Sequence, residues 1–243
     1  MRRKTTAVRI GNVVLSSEEP VLVQSMLNTS TREVDACVEQ AIRIIEAGGR
    51  LVRITAPGVK EAEMLGEIHR RLRERGYTTP ISADIHFVAE AASVAARYVE
   101  KVRINPGNFA DKRATFKKLT YTDEEYAAEL EILRQKFTEF LEVCRQYGTA
   151  VRIGTNHGSL SDRIMSRYGD TPAGMVEATM EYLRVCQACD FKDVVISLKS
   201  SDCRTMVDAV RLLVEKMEAE GMCYPLHLGV TEAGEGEDGR IRS

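Results

Sequence analysis

Several features are missing from this sequence, and each absence excludes a class of protein. No stretch approaches the roughly 18 apolar residues of a membrane-spanning helix. The basic N-terminus, residues 1–4, is not followed by an apolar run of the signal-peptide type. The formal net charge is only −2, so no global charge excess favours binding to nucleic acid or to an acidic membrane. We therefore expect a cytoplasmic protein in which any positive field is local.

The cysteines do not follow a recognisable metal-binding pattern. Six are present, and in a cytosolic chain we expect reduced thiols rather than disulfides. Cys186 and Cys189 form a CxxC at the end of a helical pattern, where a spacing of three places both thiols on one helix face. A metal site would need a second pair at a matching spacing, and the sequence has none. We expect this pair to pack against the protein and to bind no metal.

Short apolar runs alternate with longer amphipathic patterns along the chain. Runs without polar alternation are typical of strands buried on both faces, as in a parallel sheet covered by helices. The alternation predicts an α/β fold. The predicted strands are 20–24, 51–54, 81–83, 102–104, 150–153, 194–198 and 225–228, and the predicted helices are 33–47, 59–75, 88–98, 123–147, 173–189 and 202–220.

The number of strands favours a (β/α)8 TIM-type barrel that stops before its eighth strand. Residues 8–15, around the turn Gly11-Asn12, are typical of a β-hairpin, which could plug the barrel floor. An open doubly wound sheet could also hold seven strands, but no GxGxxG nucleotide fingerprint follows a strand. Residues 231–240 are predicted to form a loop. We therefore predict one TIM-barrel domain over 1–243 with an incomplete C-terminus.

Three predicted strands carry an arginine near their carboxyl end. Arg53, Arg103 and Arg152 each stand one residue before the end of a buried run. A buried guanidinium stays charged and needs an anionic partner, so any one of them could form an internal salt bridge. In a parallel barrel, however, the carboxyl ends of all strands meet at one mouth, where active sites lie. Three guanidinium groups at that mouth are suited to the oxygens of a phosphorylated ligand.

Other polar residues follow the predicted strands and extend this set. Each one alone is compatible with a loop hydrogen bond, a helix cap or a surface position, whereas their convergence on one mouth favours a site. Asp84, His86 and Glu232 are the candidate proton-transfer groups. Spacing alone predicts a cationic site for a small phosphorylated ligand and does not name the reaction. The remaining candidates for ligand contact are Asn105, Asn156, Ser159, Lys199 and His227.

A set of short strings, in the same order along the chain, resembles the 4-hydroxy-3-methylbut-2-enyl diphosphate synthase family (IspG/GcpE). Each string alone is weak, but the ordered set covers nearly the whole chain and is specific. The strings are VQSM at 23–26, ADIHF at 83–87, RINPGN at 103–108, RIG at 152–154, GSL at 158–160, PLHLG at 225–229 and TEAG at 231–234.

The resemblance implies a reaction and roles for the candidate residues. The family reductively opens 2-C-methyl-D-erythritol 2,4-cyclodiphosphate and removes a hydroxyl as water, giving 4-hydroxy-3-methylbut-2-enyl diphosphate. Glu232 matches the glutamate expected to donate a proton during C–O cleavage. The residues matching the diphosphate contacts are Arg53, His86, Arg103, Arg152 and Lys199, with Asn105, Asn156 and Ser159 nearby.

The resemblance also implies a cofactor and partners for the whole protein. A 4Fe-4S cluster receives two electrons from ferredoxin or flavodoxin, and the whole protein is expected to be a homodimer. The family's cluster ligands are three cysteines and a glutamate in a C-terminal domain, and none of the six cysteines here matches them. We therefore expect this chain to contain the N-terminal barrel part only, to bind no cluster and to be inactive alone.

Two other functions are compatible with the sequence. A pteroate-synthase-like TIM-barrel transferase would share the fold, but it needs a pterin pocket and has no need of three strand-end arginines. A non-catalytic phosphate-binding or scaffold barrel would hold an anion without any cluster. Whether the open reading frame continues past Ser243 separates this last possibility from a barrel fragment of the synthase.

Overall fold

A hairpin begins the fold, as the turn Gly11-Asn12 predicts. The computed structural model describes residues 2–86, 88–111 and 120–242, so that Phe87 of the quoted strings and residues 112–119 lie outside it. Strand β1 (Val8–Ile10) pairs antiparallel with β2 (Val13–Leu15). Gly11 has a φ of +57°, a left-handed conformation that glycine adopts without steric cost. The hairpin covers the barrel floor through one apolar cluster, formed by Val8, Ile10, Val13, Leu51, Ala150 and Val195.

The main sheet is parallel and curled, and each of its strands pairs with the next one in the sequence. This order, with helices between the strands, is that of a TIM-type barrel and confirms the predicted fold class. Within the described residues the sheet consists of β3 (Gln24–Met26), β4 (Leu51–Thr55), β5 (Ile81–Asp84), β6 (Lys101–Ile104), β7 (Ala150–Asn156) and β8 (Val194–Lys199).

The helices begin and end at residues with a clear local role. The Thr122 side chain accepts a hydrogen bond from the backbone N–H of Glu125, and Gly148 ends the same helix with a φ of +68°. The described helices are α1 (Val34–Glu46), α2 (Val59–Glu74), α3 (Ala89–Ala95), α4 (Pro106–Phe109), α5 (Asp123–Tyr147), α6 (Asp162–Tyr168), α7 (Pro172–Ala188), α8 (Cys203–Ala219) and α9 (Gly236–Arg242). None of them is long and apolar enough to cross a membrane.

Several predicted elements differ from the structure, and three of them differ most. The strand expected at 20–24 begins only at Gln24, because Pro20 has no N–H to donate and Val21 is 77% exposed beside the edge of the sheet. The strand expected at 225–228 is reduced to one bridge between Leu226 and Ile196. The loop expected over 231–240 is wrong for residues 236–240, which lie in α9. This helix has acidic residues in its first turn and arginines in its last, an order that suits the helix dipole.

The alternation of side chains along each strand decides what faces the barrel interior. Val52 and Ile54 on β4, and Val151 and Ile153 on β7, belong to the apolar core that the surrounding helices cover. Because successive side chains point to opposite faces of a strand, the residue between each pair faces inward. The interior of this barrel therefore receives Arg53 and Arg152, and by the same rule Arg103.

Candidate functional site: a cationic barrel interior

One carboxylate at the end of β5 connects the three predicted arginines. Asp84 is fully buried and accepts hydrogen bonds from Nε of Arg53 at 3.0 Å and Nη1 of Arg103 at 3.3 Å. Nη2 of Arg152 lies 3.8 Å from the same carboxylate. Burial alone would raise the pKa of Asp84, but the hydrogen bond from His86 and the charges of Arg103 and Arg53 hold it well below its usual range. Asp84 is therefore an anion at neutral pH.

His86 contacts protein groups through both ring nitrogens. Its Nε2 lies 3.0 Å from Oδ2 of Asp84, and its Nδ1 lies 2.9 Å from Nη1 of Arg103. A guanidinium can only donate hydrogen bonds, so Nδ1 acts as the acceptor and the proton of the neutral ring is assigned to Nε2, which donates to Asp84. His86 thus helps to orient Arg103, in addition to its predicted contact with the ligand.

Arg152 is buried without a close carboxylate. Its side chain is only 2% exposed, and Nη1 donates to the hydroxyl of Ser197 at 2.7 Å. Burial, together with the charges of Arg103 and Arg53, lowers the pKa of Arg152 to about 9, so the group is still protonated at neutral pH. Its Nε has no hydrogen-bond partner among the described residues. Strand β7 continues to Asn156, which places Arg152 deeper in the barrel than the sequence predicts.

Two lysines also lie in the interior. Lys101 is 2% exposed, and its Nζ donates to Oε1 of Gln24 at 3.2 Å. Burial and the neighbouring arginines Arg152 and Arg53 lower the pKa of Lys101 strongly. Lys199 ends β8, where burial and the arginines lower its pKa to about 8. Among the described residues, neither amine forms an ion pair with a carboxylate.

Sequence reasoning missed three residues of this interior, and a known periodicity would have found them. Residues two apart on a strand face the same side. Applied to Arg103 this rule gives Lys101, applied to Lys199 it gives Ser197, and applied to Arg152 it gives Gly154.

Three predicted ligand-binding residues lie at the ends of β6 and β7, and the side chains of two of them form hydrogen bonds with protein groups. Nδ2 of Asn105 donates to Oγ of Ser159 at 2.9 Å, which joins the two loops. Oδ1 of Asn105 accepts from the backbone N–H of Gly107 and thereby caps α4. Asn156 ends β7 and pairs in register with Lys199. All three predicted residues lie at the carboxyl ends of their strands, and their contact with a ligand stays a prediction.

His227 and Glu232 lie on the last described segment. The backbone N–H of His227 donates to the carbonyl of Ile196, while burial and the charges of Arg152 and Lys199 lower its pKa to about 2, so the imidazole is neutral. Glu232 is exposed, and its φ of +54° is uncommon for a residue with a side chain. Strained backbone of this kind is often found at functional sites. The role of Glu232 as proton donor stays a prediction.

A cleft of about 640 Å³ opens on one side of the barrel, between β3 and residues 225–228. Lys101, Gln24 and His227 line it together with apolar residues such as Leu51 and Val195. The cleft therefore leads to the part of the cationic interior that lies closer than Asp84 to the amino ends of the strands.

The cysteines do not fit an iron–sulfur cluster, which requires several thiolates around one metal centre. Within the described ranges, no group of three or more His, Cys, Asp or Glu side chains is placed to hold a metal ion. Oγ1 of Thr138 lies 3.7 Å from the sulfur of Cys189, and burial raises the pKa of Cys186. All six thiols are free: Cys37, Cys144 and Cys186 are buried, Cys189 and Cys203 are half-buried, and Cys223 is exposed.

Comparison with known proteins finds close relatives for the whole chain. The sequence profile of the GcpE TIM-barrel domain matches residues 5–243. A Parabacteroides distasonis protein named 4-hydroxy-3-methylbut-2-en-1-yl diphosphate synthase (flavodoxin) is 62% identical over 242 residues, which cover 100% of this chain and 40% of that protein. An Arabidopsis thaliana protein has the same name, but with ferredoxin in place of flavodoxin and with the term chloroplastic. It is 51% identical over 243 residues, and this chain covers 33% of its length. The chain thus spans well under half the length of these relatives.

The solved structures support the fold alone. A type I 3-dehydroquinate dehydratase from Clostridium difficile aligns with a TM-score of 0.56 over 93% of this chain and 81% of its own. The two sequences are only 8% identical, so the likeness concerns the barrel architecture and not the chemistry.

Proposed function

The chain belongs to the GcpE TIM-barrel domain family, and from this premise we propose that its barrel interior binds 2-C-methyl-D-erythritol 2,4-cyclodiphosphate. The whole protein would then open this ring reductively and release water, giving 4-hydroxy-3-methylbut-2-enyl diphosphate. The names of the relatives support the reaction, and the chain covers 40% or less of the two relatives described above. The proposal for the chain itself is therefore binding, and the proposal for the whole protein is the synthase activity.

The observation that carries the binding proposal is the charge imbalance of the interior. Among the described residues, Asp84 is the carboxylate that pairs with these cations, and it is shared by three of them. Cations buried without counter-charge destabilise a protein unless an anion neutralises them. A diphosphate supplies several negative charges at once, on oxygens that suit bidentate guanidinium contacts. The cations are Arg53, Arg103, Arg152 and Lys199, and they lie beside the buried amine of Lys101.

The geometry supports distinct roles around the ligand. We assign phosphate contact to Arg53, Arg103, Arg152 and Lys199, because their side chains face the barrel interior from four strands of the sheet. Asp84 remains charged and orients these arginines. Its part in proton transfer, like that of His86, stays a prediction. The proton needed for C–O cleavage is assigned to Glu232, which follows directly after Thr231, whose backbone N–H bonds to Ser200 beside the end of β8.

The electrons for such a reaction come from outside this chain. The relatives are named after flavodoxin and ferredoxin, and we extend that class of donor to the whole protein. In the whole protein a 4Fe-4S cluster would deliver two electrons, but the cysteines of this chain do not fit one. Homodimer formation by the whole protein also stays a prediction.

The alternative of a pteroate-synthase-like transferase is not favoured. The two close relatives described above, at 62% and 51% identity, carry the diphosphate synthase name instead. A non-catalytic phosphate-binding barrel would share the cationic interior and would bind the ligand without converting it. Turnover by the complete gene product separates that possibility from the synthase.

Calorimetric titration of the complete gene product with the cyclodiphosphate tests the binding proposal. We expect saturable binding that weakens as salt is raised, because the contacts are largely ionic. Inorganic pyrophosphate should compete, whereas a neutral polyol of similar size should not. An absence of binding, or binding that pyrophosphate leaves unchanged, would contradict the proposal.

A further inference from the structure

Gly154 leaves open the space in which the guanidinium of Arg103 lies. A Cβ placed on Gly154 would lie 2.6 Å from Nε of Arg103 and 3.3 Å from its Cγ. It would also lie 3.2 Å from Oγ of Ser197, the group that holds Arg152. Carbon atoms do not approach buried nitrogen atoms this closely, so any side chain at position 154 has to displace Arg103.

The backbone itself does not require glycine at this position. Gly154 lies within β7 and is not among the residues with a positive φ. Glycine inside a strand weakens the strand unless another group approaches it closely. The approach here is made by Arg103, whose Nη2 donates to the carbonyl of Gly154 at 2.8 Å.

Arg103 has little freedom to move away from an added methyl group. Its side chain is 3% exposed, and its other terminal nitrogen contacts both Asp84 and His86. Displacing the guanidinium would break these contacts together with the one to Gly154. The position of one of the proposed phosphate-binding groups thus depends on the absence of a side chain on the neighbouring strand.

We propose that Gly154 is a positioning residue, which fixes the Arg103 guanidinium for contact with a phosphate group. The identity of the ligand rests on the proposed function, but the coupling between positions 103 and 154 does not. Gly154→Ala then acts on binding mainly through Arg103, since its approach to Ser197, at 3.2 Å, is less close. The same substitution has no effect of this kind once the arginine is removed.

A double-mutant cycle in the complete gene product tests the inference. The four proteins are the wild type, Gly154→Ala, Arg103→Ala and the double variant. Inorganic pyrophosphate affinity is measured by calorimetry, and stability by urea unfolding. We expect Gly154→Ala to weaken pyrophosphate binding by about tenfold or more in the wild type, the size of one charged hydrogen bond, and by less than about twofold in Arg103→Ala.

Two other glycines provide matched controls. A Cβ on Gly229 would lie 3.4 Å from Cε and 3.5 Å from Nζ of Lys199, ordinary contacts at the same site, so Gly229→Ala should change affinity far less than Gly154→Ala does. A Cβ on Gly66 would lie 2.9 Å from the ring of Tyr98, far from the interior of the barrel. Gly66→Ala should therefore disturb packing and leave pyrophosphate affinity unchanged.

The outcomes separate this inference from the proposed function. Equal effects of Gly154→Ala in both backgrounds, on affinity and on unfolding, would overturn the positioning role. If the wild type binds no pyrophosphate, the proposed function fails, and the unfolding cycle still decides the inference. In that case, a loss of unfolding free energy on Gly154→Ala that disappears in the Arg103→Ala background supports the inference. An equal loss in both backgrounds refutes it.

Discussion

Two buried arginines in this protein lie in opposite electrostatic surroundings. Arg163, on α6, donates from Nη1 to Glu181 at 2.7 Å and from Nη2 to Asp111 at 2.9 Å. Arg152, in the barrel, has a serine hydroxyl as its near partner and Asp84 at 3.8 Å. Both are almost completely buried, at 1% and 2% exposure. Burial lowers the pKa of both, but the carboxylates around Arg163 outweigh it and raise that pKa above its ordinary value.

The difference separates a structural ion pair from a binding site. The helix-side cluster, defined here as Asp111, Tyr126, Arg163 and Glu181, contains its own counter-charges and connects α5, α6 and α7. Its arginine also lies over the ring of Tyr126, 4.6 Å from the centroid. The interior cluster has more cations than anions, and under the proposed function it gains stability when an anion binds. Burial alone therefore does not identify a functional arginine, whereas the ratio of carboxylates to cations around it differs between the two clusters.

Removing Arg163 should have the largest effect on folding. Arg163→Met leaves Glu181 and Asp111 buried without a cation, and breaking a buried pair in this way costs about 3–5 kcal/mol. Urea unfolding measures the loss. Arg167→Met is a matched control, because Arg167 lies over the same ring but pairs with the exposed Asp123, a contact worth less than about 1 kcal/mol. Similar losses in both variants would contradict the assignment.

Removing Arg152 should weaken ligand binding and leave the unfolding free energy nearly unchanged. Arg152→Met deletes a buried cation that has no close carboxylate, so the unfolding free energy should change by less than about 1 kcal/mol or rise. Binding of the cyclodiphosphate should fall about ten- to hundredfold, the equivalent of roughly 1.5–3 kcal/mol for a charged hydrogen bond. Calorimetry and urea unfolding on the same preparation provide both values. Unchanged affinity with a large loss of stability would place Arg152 among the structural pairs.

The pH dependence of binding should report Lys199. Its pKa of about 8 in the free protein lies below the ordinary value because of burial and the neighbouring arginines. A bound anion favours the protonated amine and raises this pKa, so affinity is full below pH 8 and falls as pH rises through it. The decrease should approach about tenfold per pH unit. Lys199→Met should remove the fall around pH 8 and leave only the later one expected from Arg152, whose pKa is about 9. A wild-type profile that is flat from pH 7 to 9 would refute the role of Lys199.

The smallest expected effect concerns the hydroxyl of Tyr126. This group donates a hydrogen bond to Glu181, and the carboxylate keeps its two contacts with Arg163 when the hydroxyl is lost. Tyr126→Phe should therefore lower the unfolding free energy by about 1 kcal/mol. Ligand affinity should stay the same, since the cluster lies outside the barrel interior. A change in affinity would show that the two clusters are coupled.

The sequence predicts the interior arginines well because each is an exception within an apolar run. Arg53, Arg103 and Arg152 interrupt strands that are otherwise hydrophobic, and parallel strands bring such exceptions to a common interior. The helices α5, α7 and α8 are also predicted closely, since each has a cap and a long amphipathic pattern. Strands at the edge of the sheet are predicted poorly, because one neighbour alone decides where pairing begins.

The charge balance around each arginine could not be predicted from the sequence. Arg163 does not interrupt an apolar run, so the sequence pattern does not single it out. Its partners Asp111 and Glu181 lie 52 and 18 residues away. The sequence likewise contains many carboxylates, and only the fold shows that Asp84 serves three arginines. The need for glycine at position 154 depends on the path of a side chain on the neighbouring strand, which no local pattern encodes.

Stabilisation by ligand tests the central claim most directly, namely that the interior cations lack a counter-charge which the ligand supplies. The unfolding free energy is measured with and without cyclodiphosphate at about 100 times the wild-type Kd, where binding adds about 2.7 kcal/mol. We predict this gain for the wild type and for Arg163→Met, and a gain at least about 1.3 kcal/mol smaller for Arg152→Met, as tenfold weaker binding requires. Equal gains in all three proteins, or a gain lost only in Arg163→Met, would contradict the account.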